Sequence, residues 1–128
     1  MPAKLPATRP LLLGLLLAMI TASPAYAGEA DVIGAEIKQT GLDTYQVSAT
    51  IRHADTGWDH YADGFEIVSP DGTVLATREL LHPHVEEQPF TRSTTGVLIP
   101  PGIDTVTIRA HDKVHGYGGA TVELTVPR

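Results

Sequence analysis

There is no cysteine in this chain of 128 residues. That removes disulfides, thiol nucleophiles, iron–sulfur clusters and thiolate metal sites together, and leaves the apolar core alone to hold the fold. Methionine is nearly as scarce. The two present, Met1 and Met19, both precede residue 28, so soft thioether sites for Cu(I) have no ligands after that point. The one long apolar run, Leu11 to Ile20, falls short of the about 20 residues needed to span a bilayer. Catalytic signatures are missing too: no H-E-x-x-H, no G-x-S-x-G turn and no glycine-rich phosphate loop. A binding protein is expected rather than an enzyme.

What is there begins with a leader. Lys4 and Arg9 precede the apolar run, and Ala25-Tyr26-Ala27 follows it with the small-x-small pattern of a signal-peptidase site. Residues 1–27 therefore read as a cleaved signal peptide and 28–128 as a single domain, with Gly28 as its first residue. A lipobox needs a cysteine, so an unlipidated periplasmic or secreted protein is expected. Loss of Lys4 and Arg9 leaves seven of the nine basic residues against fifteen acidic ones, a formal charge of −8 with histidine neutral. Such a balance repels nucleic acid and anionic membrane surfaces and favours cations.

The domain alternates apolar and polar residues with period two, in runs rich in threonine, valine and isoleucine. Seven strands are expected: Val32 to Gln39 with Ile33, Ala35 and Ile37 inward; Thr44 to Arg52 with Tyr45, Val47, Ala49 and Ile51 inward; Tyr61 to Ser69 around Phe65 and Ile67; Thr73 to Leu81; a polar edge strand from Thr91 to Ile99; Thr105 to Ala110 with Val106, Ile108 and Ala110 inward; and Ala120 to Val126 with Ala120, Val122, Leu124 and Val126 inward. Pro70-Asp71-Gly72 makes a hairpin of the third and fourth. The pattern predicts an all-β, seven-stranded antiparallel sandwich of immunoglobulin-like or fibronectin-III-like type. A jelly roll or open barrel is the alternative.

Up-and-down strands place alternate loops at opposite ends. The tight turns at residues 40–43, 70–72 and 100–104 share one end. The long loops His53 to His60, Leu80 to Phe90 and His111 to Gly119 share the other, and they hold all six histidines. Neutral imidazole is the commonest metal ligand, so His53, His60, His82, His84, His111 and His115 are candidate ligands for Cu(II), Zn(II) or Ni(II). Asp55, Asp59, Glu86, Glu87 and Asp112 are available to complete or orient the shell. His53 continues the inward phase of its strand past Ile51, which puts it at the rim of the core. Trp58 is expected to cap the open end of the core. The glycines around Tyr117 let the backbone approach something closely.

The stretches Thr56 to Asp63, Leu80 to Ser93 and His111 to Gly119 resemble small exported bacterial proteins of uncharacterised function. The overall plan also resembles the periplasmic copper-resistance sandwiches, and that resemblance implies Cu(II) held by histidines at one end. This chain departs from their pattern, having no N-terminal histidine and no methionine-rich segment, so no ligand residue carries over. The residues thus point to an exported sandwich that binds a divalent transition metal at its long-loop end. The alternative is a non-catalytic interaction module of the cell envelope, in which Trp58, Tyr61, Phe90 and Tyr117 meet a protein partner at the same end.

Overall fold

A computed structural model describes residues 28–128, so the expected signal peptide lies outside the described residues. Seven antiparallel strands form two sheets packed face to face: β1 (Asp31–Gly41), β2 (Thr44–Arg52), β3 (Ala62–Val68), β4 (Val74–Glu79), β5 (Phe90–Leu98), β6 (Thr105–Asp112) and β7 (Val122–Thr125). One sheet has the order β1-β2-β5 and the other β4-β3-β6-β7. The fourth strand pairs with the third, as the Pro70-Asp71-Gly72 turn requires. This differs from antibody constant domains, where the fourth strand joins the first sheet.

The expected sandwich is the observed one, and the alternation of β2 is its clearest source. Tyr45, Val47, Ala49 and Ile51 are all fully buried, facing Phe65 and Ile67 of β3 and Val106, Ile108 and Ala110 of β6. Each such side chain contributes about 1.5–3 kcal/mol on leaving water, alanine less. The polar fifth strand pairs only with β2, and is an edge as expected.

Two inward assignments are corrected. The β1–β2 register shifts between Val32 and Gly34, so Ile33 is the extra residue of a bulge. Val32 takes the core position and Ile33 turns outward, 41% exposed. Ala35 and Ile37 regain the inward phase and pack against the core. At the other end of the chain β7 starts only at Val122. Ala120 is exposed because its backbone serves the start of β1 instead: Ala120 N–H donates to Asp31 Oδ1 (2.7 Å) and its carbonyl accepts from Val32 N–H (2.9 Å).

Candidate metal centre

The centre forms where the core ends. β2 alternates inward through Ile51, and His53 is the next residue in phase, 3% exposed. β6 alternates inward through Ala110, and its next residue in phase is Asp112, fully buried. The two strands belong to opposite sheets, so these side chains meet across the sandwich.

Each is held from behind. Asp55 Oδ1 accepts from His53 Nδ1 (2.5 Å) and from Ala62 N–H (3.0 Å), while Asp55 Oδ2 accepts from His84 N–H (2.7 Å). That carboxylate fixes the ring so that His53 Nε2 faces inward, the arrangement seen behind most metal-bound histidines. Asp112 Oδ1 accepts from the N–H groups of Val114 and His115, which leaves Oδ2 free to face the histidines. His60 returns on a tight turn: Thr56 N–H donates to the His60 carbonyl (3.0 Å) and His60 N–H to the Gly57 carbonyl (3.2 Å). Its ring lies edge-on to His53, with centroids 4.7 Å apart.

Three donor atoms therefore converge. His53 Nε2 is 3.1 Å from Asp112 Oδ2 and 3.2 Å from His60 Nε2, and His60 Nε2 is 3.4 Å from Asp112 Oδ2. The vertices of a tetrahedral shell with bonds of about 2.0–2.1 Å are about 3.3 Å apart, against about 2.9 Å for adjacent octahedral vertices. A circle through the three atoms has a radius of about 1.9 Å, so a point just off their plane lies at bonding distance from all three. Two further groups adjoin this triangle. His115 Nδ1 is 3.1 Å from Asp112 Oδ2, and the Gly28 carbonyl is 3.1 Å from His53 Nε2.

Charge points the same way. Burial disfavours ionised Asp112, but the His115 and Val114 N–H groups and the adjacent imidazoles hold its pKa at about 2. Asp55 is lowered likewise, its hydrogen bonds from His53, His84 and Ala62 outweighing burial. Two ionised carboxylates in a buried pocket require compensating charge. A divalent cation would supply it. Without one, His53 takes up the role: burial opposes its protonation, but Asp55 and Asp112 together raise its pKa.

The six expected ligands do not all meet. His53 and His60 are in the triangle, and His115 is beside it. His111 points the opposite way, being out of phase with Asp112 on β6. It bonds Asp63 (2.5 Å) and lies edge-on to Tyr117 on the outer face of its sheet, beside a cleft of about 330 Å³. His84 stacks flat on Phe90 (centroids 3.9 Å apart) and accepts from Arg92 at Nε2 (2.9 Å). Because arginine only donates, the His84 proton sits on Nδ1, which is buried without a partner. His82 is exposed, its ring 4.7 Å from that of His84.

The four aromatic candidates also divide. Phe90 and Tyr61 are buried, at 3% and 8% exposure. Trp58, far from capping the core, is 64% exposed and touches Tyr61 edge-on. Tyr117 is partly exposed, under the Arg109 guanidinium.

No protein-family profile matches the chain. Over 91 residues it is 42% identical to a protein of the archaeon Halomicrobium mukohataei named "Putative lipoprotein". The match covers 71% of this chain and 44% of that protein, so the chain spans less than half the length of this relative. Its fold is similar to the crystal structure of hypothetical protein PH1083 from Pyrococcus horikoshii OT3, with a TM-score of 0.51 and 14% identity over 80% of this chain and 95% of the other.

Proposed function

We propose that this chain is an exported β-sandwich that binds one divalent transition metal at its long-loop end, through His53, His60 and Asp112. The observation that carries this is the spacing of the three donor atoms, 3.1–3.4 Å. It fits a tetrahedral Zn(II) shell best; Cu(II) and Ni(II) fit the same imidazole and carboxylate donors with a flatter geometry. Three protein ligands leave a fourth position open. Binding, not turnover, is the role proposed. Export is supported by the leader-like residues 1–27 and by the name of the archaeal relative.

A second reading keeps the fold and changes the ligand. Trp58, Leu81, Val85 and Val114 are 52–73% exposed on the three loops of this one end. That apolar rim fits an envelope protein partner. The two readings separate by calorimetric titration of chelator-washed protein with Zn(II). Stoichiometric binding at micromolar Kd or tighter, lost in Asp112→Asn, supports the metal centre. Absence of binding leaves the partner reading.

A further inference from the structure

We propose that the α-amino group of Gly28, freed by cleavage after Ala27, is the fourth ligand of this centre, so that the site is completed only in the processed chain. This ligand presupposes the metal centre proposed above.

The geometry begins with the Gly28 carbonyl oxygen, 3.1 Å from His53 Nε2. His53 Nε2 keeps the same 3.1 Å from its partner in the triangle, Asp112 Oδ2. Within one residue the backbone nitrogen and carbonyl oxygen are at most about 3.6 Å apart, so the nitrogen of Gly28 lies within that reach of a carbonyl that already touches the triangle. With ψ at about 180° the two atoms are syn across the Cα–C bond, and amine and carbonyl would close a five-membered chelate ring on one metal ion.

The terminal segment is held in that place. Ala30 is fully buried. A methyl group on Gly119 would lie 2.1 Å from the Ala30 carbonyl oxygen, and one on Gly118 would lie 2.8 Å from Glu29 Cγ. These two glycines let the loop after β6 press on residues 29–31. Asp31 and Val32 are then tied to Ala120 on both sides of the contact. Gly28 thus leaves a fixed point two residues away and is aimed at His53.

Cleavage supplies the chemistry. In the uncleaved chain the Gly28 nitrogen is an amide, whose lone pair is delocalised into the carbonyl of Ala27 and is no ligand at neutral pH. Hydrolysis adds water across the Ala27–Gly28 bond, giving a carboxylate on Ala27 and an ammonium on Gly28. That ammonium has a pKa of about 7.7–8.0 and gives up one proton to the solvent when the nitrogen binds the metal. Before cleavage the centre has its three side-chain ligands alone, so the precursor is the weaker binder.

The test exports the full chain, establishes the mature terminus by mass spectrometry, and titrates the processed protein with Zn(II). The comparison is the same protein acetylated at Gly28, and a version retaining Ala27. Outer-shell contacts alone shift metal affinity roughly 10–100-fold, so loss of a direct ligand is expected to weaken binding by at least roughly tenfold. The free-amine form should also release one more proton per Zn(II), while melting temperatures in chelator stay equal. Equal affinity and equal proton release in all three forms would overturn the amine ligand and leave the three-residue centre intact. A mature terminus other than Gly28 would overturn it as well. Failure of every form to bind Zn(II) would overturn the metal centre and this ligand together.

Discussion

His53, just past the end of β2, and Asp112, the last residue of β6 in the opposite sheet, lie 59 residues apart, yet His53 Nε2 and Asp112 Oδ2 are 3.1 Å apart, and both side chains are buried. Each side chain is the last inward step of its own strand. A histidine and a carboxylate placed where an apolar core would otherwise continue cost stability unless they meet a compensating charge. The consequences of that placement can be measured one residue at a time.

Asp55 touches no metal position, but it holds three elements together through His53, Ala62 and His84. Asp55→Ala leaves three buried donors without an acceptor and should destabilise the fold by about 3 kcal/mol or more. Asp55→Asn retains an oxygen but no longer aligns the ring with a charge. Its expected effect is a loss of Zn(II) affinity of roughly 10–100-fold at a smaller cost in stability. Urea unfolding and calorimetric titration of both variants check this. Equal metal affinity in Asp55→Asn and wild type would remove Asp55 from the account.

Gly119 is no ligand, yet a side chain there would strike the backbone at Ala30. Gly119→Ala must push the start of β1 away from the loop, at a cost of about 1–3 kcal/mol. Because Gly28 moves with it, Zn(II) affinity should drop along with the melting temperature. Gly102→Ala is the control at the opposite end. Its φ of +99° makes it strained as well, but the turn it occupies is remote from the centre. Loss of affinity in both would mean that general destabilisation, not the position of the terminus, was being read.

His84 makes the pH dependence specific. Burial, then Arg92 and His82, depress its pKa below 6.5. A histidine with a depressed folded pKa contributes stability above the unfolded value of about 6.5, and loses it as pH falls through the folded value, because the unfolded chain then binds the extra proton. His53 works in the opposite sense, its raised pKa adding stability below about 6.5 that is lost at higher pH. Comparison with His84→Gln, which keeps an acceptor for Arg92, isolates the first contribution. In chelator, wild type should lose more stability than the variant between pH 7.5 and 5. Parallel stability–pH curves would show that His84 is not held neutral.

Much of this site could be read from period two alone. His53 follows Tyr45, Val47, Ala49 and Ile51 in phase, and by the same rule Asp112 follows Val106, Ile108 and Ala110. Strict phase also separates His111 from Asp112, although both sit in one histidine-bearing loop region. Membership of one loop says nothing about which face of the sheet a side chain takes. Other features lie beyond periodicity. The bulge at Ile33 depends on pairing with Thr50 and Ile51 across the sheet. The stacking of His84 on Phe90 depends on how an irregular loop folds back. The approach of Gly28 to His53 depends on Gly118 and Gly119, some 90 residues away, and alternation says which face a residue takes but not which distant segment covers it.

The most direct measurement is an anomalous-scattering crystal structure of the protein soaked in Zn(II), recorded on both sides of the zinc edge. The account predicts one strong peak about 2.0–2.2 Å from His53 Nε2, His60 Nε2 and Asp112 Oδ2. A peak at His82 and His84, a peak at His111 and Asp63, or no ordered zinc at saturating concentration would contradict it.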